Sequence, residues 1–75
     1  MQPIDERNTT GDRLIRLPEV MARTGLSRAT IYRLMKSERY AFPRCVELGY
    51  RLRAWSSHAV DAWVTKQIAE ANSKT

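Results

Sequence analysis

The sequence predicts a small, mainly α domain of three helices and one two-stranded β-hairpin, contained in a single unit. Three observations carry this. Apolar residues recur at helical spacing in three stretches, the first two separated by Gly25, and a pair of short β-compatible runs flanks Gly49–Tyr50 ahead of the third. With 75 residues there is room for one domain only. A chain of this size buries about 60% of the surface its unfolded form exposes, so the core is thin and function is expected at the surface rather than in a deep pocket. The hydrophobic fraction of 43% is still that of a folded domain.

Taken in order, residues 1–12 (MQPIDERNTTGD) carry no periodic apolar pattern and predict a flexible arm, with the ordered domain at 13–71 and a frayed end at 72–75. Leu17, Val20, Met21 and Thr24 lie at helical spacing. Pro18 suits the first turn, where a missing N–H costs nothing, and Glu19 meets the positive end of the helix dipole. Gly25 closes this helix because glycine takes left-handed backbone angles without a steric penalty. Leu26 returns to the core, and Ser27 caps a second helix starting at Arg28. Ile31, Leu34 and Met35 form its apolar stripe, with Arg28, Ala29, Tyr32, Arg33 and Lys36 on the opposite face; its end is expected near residues 37–39. A loop follows, extended ahead of Pro43. Residues 44–48 and 51–55 then read as a hairpin, and Ser56 or Ser57 caps the last helix. Val60, Trp63, Val64, Ile68 and Ala71 are spaced for one buried face on that helix, with Trp55 packed against it.

Charge is unevenly placed. The net charge is +5, and ten of the 13 basic residues are arginine. Residues 1–12 hold Asp5, Glu6 and Asp12 against Arg7, and residues 56–75 balance to zero. Residues 13–55 carry ten basic groups against Glu19, Glu38 and Glu47, a local net of +7. Such segregation points to a polyanionic partner, and arginine is the side chain suited to bidentate contact with phosphate and guanine.

Two short helices joined at a glycine corner, the second presenting a basic N-terminal half, match the requirements of a helix-turn-helix. The corner needs Gly25; the steep crossing needs Val20, Met21, Leu26, Ile31 and Leu34 as apolar contacts. On the second helix Arg28, Arg33 and Lys36 supply donors, Tyr32 a hydroxyl and a flat face, and Ala29 a methyl for a thymine. Ser27 with the free N–H groups of that terminus can hold a phosphate. The hairpin adds Arg44, Arg51 and Arg53, with Tyr50 at its tip, in the layout of a wing that reaches the backbone or minor groove. The expected partner is double-stranded DNA, bound by a monomer or by several copies on repeated sites.

The run RLIRLPEVMARTGLSRATIYRLM, then FPR, LGYRLRAW and VDAWV, resembles the AlpA family of small phage and genomic-island regulators, relatives of MerR-type and excisionase winged-helix proteins. The resemblance spans about residues 13–68. It implies a winged helix-turn-helix that binds DNA site-specifically at promoter or attachment-site repeats, with 28–36 as recognition helix and 49–51 as wing turn. It also implies activation of prophage or island genes, or action as a recombination directionality factor beside an integrase partner. Two departures stand out: SERYA at 37–41 lacks the family's glycine, and Cys45 stands where the family often has proline.

Other chemistry finds little footing. Ser57, His58 and Asp61 crowd the first turn of one helix with no oxyanion site or pocket, so a catalytic triad is not expected. Cys45 is alone, which excludes an internal disulfide and, with His58, falls short of a zinc site; no cofactor or metal is expected. Cys45 reads as a small buried residue. No apolar leader or membrane-length run occurs, which predicts a cytoplasmic protein. The competing class is a protein-interaction module that grips an integrase or repressor through Trp55 and Trp63. Such a module gives no reason to concentrate arginine on the second helix and hairpin.

Overall fold

The structure is a computed structural model, described here over residues 11–73. Its elements run β1 (Leu14–Ile15), α1 (Leu17–Thr24), α2 (Arg28–Met35), β2 (Val46–Glu47), β3 (Arg53–Ser56) and α3 (Ser57–Ser73). This is a winged helix-turn-helix. Pro18 and Glu19 occupy the first turn of α1, and Gly25 ends it in the left-handed conformation (φ 75°), its N–H donating to the Met21 carbonyl at 2.8 Å. Ser27 caps α2, accepting the Thr30 N–H at 3.2 Å.

The sheet differs from the predicted hairpin. It has three strands in the order β1-β3-β2, both pairs antiparallel, with Ile15 opposite Trp55 and Val46 opposite Ala54. β1 is two residues long, too short for period-2 alternation to show in sequence. The hairpin ladder is shorter than the expected runs, covering Val46–Glu47 and the start of β3. Its turn is closed by the Leu48 N–H donating to the Leu52 carbonyl at 2.7 Å, with Gly49 and Arg51 at positive φ (120° and 56°).

Beneath the sheet, Ile15, Val20, Ile31, Phe42, Trp55 and Val60 form the buried core, with Met21, Leu26, Leu34, Met35 and Trp63 partly covered around it. Trp55 is fully buried, as its spacing against the last helix suggested; its indole N–H has no acceptor among the described residues. Cys45 is half-buried at the edge of this cluster rather than enclosed.

Two further expectations are corrected. α2 stops at Met35, with Lys36 as its C-cap, short of residues 37–39. The SERYA segment then turns back without glycine because Ala41 takes the left-handed conformation (φ 51°), a strained position for a residue with a Cβ. The following Phe42 holds the segment in place, its ring 4.8 Å from that of Trp63, whose indole N–H donates to the Tyr40 carbonyl at 2.8 Å. On α3 the apolar face is buried only in its first half: Val60 is enclosed, Val64 half-buried, Ile68 58% exposed and Ala71 exposed. Among the described residues the core cluster meets α3 at Val60 and Trp63, in its first half.

The start of α3 is fastened from across the chain. Ser56 is the cap, its hydroxyl oxygen accepting the Ala59 N–H at 3.1 Å. The Asp12 carboxylate accepts the His58 N–H (3.0 Å), the Ser56 hydroxyl (2.7 Å) and the Ser57 hydroxyl (3.0 Å). These bonds hold it well below the usual carboxylate range, the His58 N–H first and the Ser56 hydroxyl next. The arm expected at 1–12 lies outside the described residues except for Gly11 and Asp12, and Asp12 is tied to the domain. Ser57, expected on an exposed first turn, is buried. No helix among the described residues is long and apolar enough to cross a membrane.

Candidate nucleic-acid interface

Whether the basic excess of residues 13–55 forms a surface depends on what neutralises it. Arg13 and Arg23 are neutralised. Both donate to Glu19 Oε2 at 2.7 Å, and Arg23 also donates to Asp61 at 2.9 Å, joining α1 to α3. The Glu19 hydrogen bond, then the charge of Asp61, raises the Arg23 pKa against the opposing cost of burial. The other eight basic residues of this segment have no carboxylate within ion-pair distance among the described residues.

The second helix keeps its polar face outward. Arg28, Ala29, Arg33 and Lys36 are exposed, while Ile31 on the reverse side is fully buried. Tyr32 is the exception. It is half-buried, its ring edge-on to Trp55 with centroids 6.5 Å apart. The Arg28 and Arg53 guanidinium carbons lie 5.7 and 5.9 Å from the centre of the same Tyr32 ring, so a helix residue and a strand residue meet over one aromatic face. Ser27, expected to offer its hydroxyl to a phosphate, already uses it within the helix: it accepts from Thr30 N–H and donates to Thr30 Oγ1 at 2.9 Å.

On the hairpin, Tyr50 is 87% exposed at the tip with the Arg51 guanidinium carbon 5.1 Å from its ring centre. Arg44 precedes β2 and, with Lys36, Tyr32 and Arg53, lines a groove between α2 and the hairpin that also holds Glu47. Thus Arg28, Tyr32, Arg53, Lys36 and Arg44 come together around that junction; Ala29 and Arg33 stand exposed on α2, and Tyr50 marks the hairpin tip.

Sequence reasoning missed Arg16. It sits at the β1–α1 junction and donates from Nε to the Arg53 carbonyl at 3.0 Å, which brings it beside Arg28, Tyr32 and Arg51. The signal that could have found it is the pattern Leu14-Ile15-Arg16-Leu17, had the short strand been recognised. The catalytic reading of Ser57, His58 and Asp61 gains no geometry: the Ser57 hydroxyl is given to Asp12 and Asp61 is paired with Arg23. Among the described residues no group of three or more His, Cys, Asp or Glu is placed to hold a metal ion.

Residues 13–68 match the family described as Prophage CP4-57 regulatory protein (AlpA). The chain is 45% identical over 60 residues to the uncharacterized protein ORF88 of Enterobacteria phage P4, covering 80% of this chain and 66% of that protein. It is 38% identical over 64 residues to the DNA-binding transcriptional activator AlpA of Escherichia coli K12, covering 80% of this chain and 91% of that one. No solved structure is a significant match. With a matched segment that spans both helices of the motif, the hairpin and most of α3, the chain belongs to the AlpA family of prophage regulatory proteins.

Proposed function

We propose that this protein is a site-specific double-stranded DNA-binding regulator. It lays α2 in the major groove and rests its hairpin on the adjacent backbone. The observation that carries this reading is the exposed basic face of α2, which continues into the hairpin arginines without an intervening ion pair among the described residues. In this reading Ala29, Arg33 and Lys36 face base edges. Arg44, Tyr50, Arg51 and Arg53 follow the phosphates, which orients the helix without reading sequence. The relative in Escherichia coli K12, a DNA-binding transcriptional activator, supports a role in transcription of prophage or island genes. A role in excision beside an integrase uses the same binding chemistry. In this reading the binding unit is a monomer, or several copies on repeated sites.

Selection of bound sequences from a random duplex library, followed by titration at several salt concentrations, tests this. Engagement of about 4–6 phosphates gives a slope of log K against log salt near −4 to −5. Binding that ignores salt, or a library that returns no preferred site, overturns the reading and leaves a protein-interaction module as its replacement.

A further inference from the structure

Four arginines from four separate places in the chain border one open concavity with Tyr32: Arg16 from the β1–α1 junction, Arg28 from the first position of α2, Arg51 from the hairpin turn and Arg53 from the start of β3. The side chains are organised rather than merely near. Arg28 and Arg53 both lie over the Tyr32 ring, the ring is braced edge-on by the fully buried Trp55, and Arg16 is tethered through Nε to the Arg53 carbonyl. That tether uses one N–H of Arg16 and leaves its terminal amino groups available. Among the described residues no carboxylate lines the concavity; Glu47 lies in the neighbouring groove. Like charges gathered together repel, so an anion seated between them lowers the energy of the arrangement.

We propose that this concavity seats a single phosphodiester group of the DNA backbone. Arg16, Arg28 and Arg53 grip its two unesterified oxygens, and Tyr32 is the positioning residue that holds the helix arginine and the strand arginine at one spacing. The proposal rests on the duplex-binding reading above and departs from the sequence expectation at one residue. Arg28, on the recognition helix, clamps the backbone instead of reading a base. It also gives Arg16, which the helix-turn-helix pattern does not include, a direct place in binding.

The test uses the full chain with two duplexes, the selected site and a scrambled version of the same length and composition. Arg16→Ala and Arg28→Ala are each expected to lose about fivefold in affinity at 0.15 M salt on both duplexes alike, with the salt slope shallower by about one. Arg16→Ala combined with Arg28→Ala is expected to lose less than the product of the single losses, because one phosphate is shared. Tyr32→Leu is expected to reproduce the single-arginine loss and Tyr32→Phe, which keeps the ring, to lose clearly less than Tyr32→Leu; far-UV circular dichroism confirms that each variant is folded. A loss confined to the selected duplex, an unchanged salt slope, or Tyr32→Phe failing as Tyr32→Leu does each overturns the phosphate seat while duplex binding by the wild type stands. Wild type that binds neither duplex overturns the parent reading as well, and the two failures are told apart by that control.

Discussion

The arginines between α1 and α3 and those between α2 and the hairpin carry the same group in opposite circumstances. Arg13 and Arg23 converge on Glu19, and Arg23 reaches on to Asp61, so their charge is spent inside the protein as a link between two helices. Arg16, Arg28 and Arg53 converge on a tyrosine ring and a backbone carbonyl, neither of which cancels charge. The first cluster is complete in the free protein. The second is an electrostatic demand that folding leaves open, and the two would look alike in any count of basic residues. A positively charged segment therefore says little about binding until its internal partners are subtracted.

The contrast makes a graded set of predictions. The largest effect belongs to Arg33, which among the described residues has neither a carboxylate nor an aromatic partner and stands exposed on α2. Arg33→Ala is expected to lower the ratio of selected to scrambled duplex affinity by about tenfold or more, read in a competition titration. An unchanged ratio would mean that sequence is read elsewhere. Next comes Glu47, the one carboxylate among the described residues in the groove shared by Tyr32, Lys36, Arg44 and Arg53. Glu47→Gln is expected to tighten binding to both duplexes by about threefold, since a like-charged obstacle to phosphate is removed; weaker binding would show that Glu47 orders the wing arginines.

The paired side of the molecule should respond in stability instead of affinity. Arg23→Met is expected to lower the melting temperature slightly and to leave duplex affinity within about twofold, as a partly exposed structural ion pair should. A larger affinity loss would erase the distinction between the clusters. Asp12 gives the corresponding pH dependence. Its pKa in the folded protein lies below its unfolded value of about 3.9, so the folded state binds fewer protons. The stabilisation is therefore complete above about pH 5 and is lost as pH falls through the acidic range. Asp12→Asn should melt below wild type at neutral pH, with the gap closing as the buffer is taken below about pH 4. A gap that stays constant down to strong acid would show that the carboxylate charge does not hold the α3 cap.

Local signals were enough for the helical part of this molecule. Gly25 and Ser27 act within four residues of themselves, and the corner and cap they form are those their side chains imply. The same holds for the outward face of α2, because the burial of Ile31 dictates which side is left to solvent. Longer-range features escaped. β1 becomes a strand only because β3 is beside it, and Asp12 caps a helix that begins 45 positions later in the chain. The second half of α3 carries an apolar spacing that promises burial, yet whether a partner surface lies opposite is a matter of domain size, not of periodicity.

From sequence alone came the helix-turn-helix, the hairpin, the local excess of positive charge and the family, since each depends on neighbours in the chain or on composition. Which arginines are neutralised and which remain open was decided only by the tertiary structure. Pairing with Glu19 or stacking on Tyr32 depends on which groups the fold brings within a few ångströms, and the attraction between charges falls with distance in space, whatever their separation along the chain.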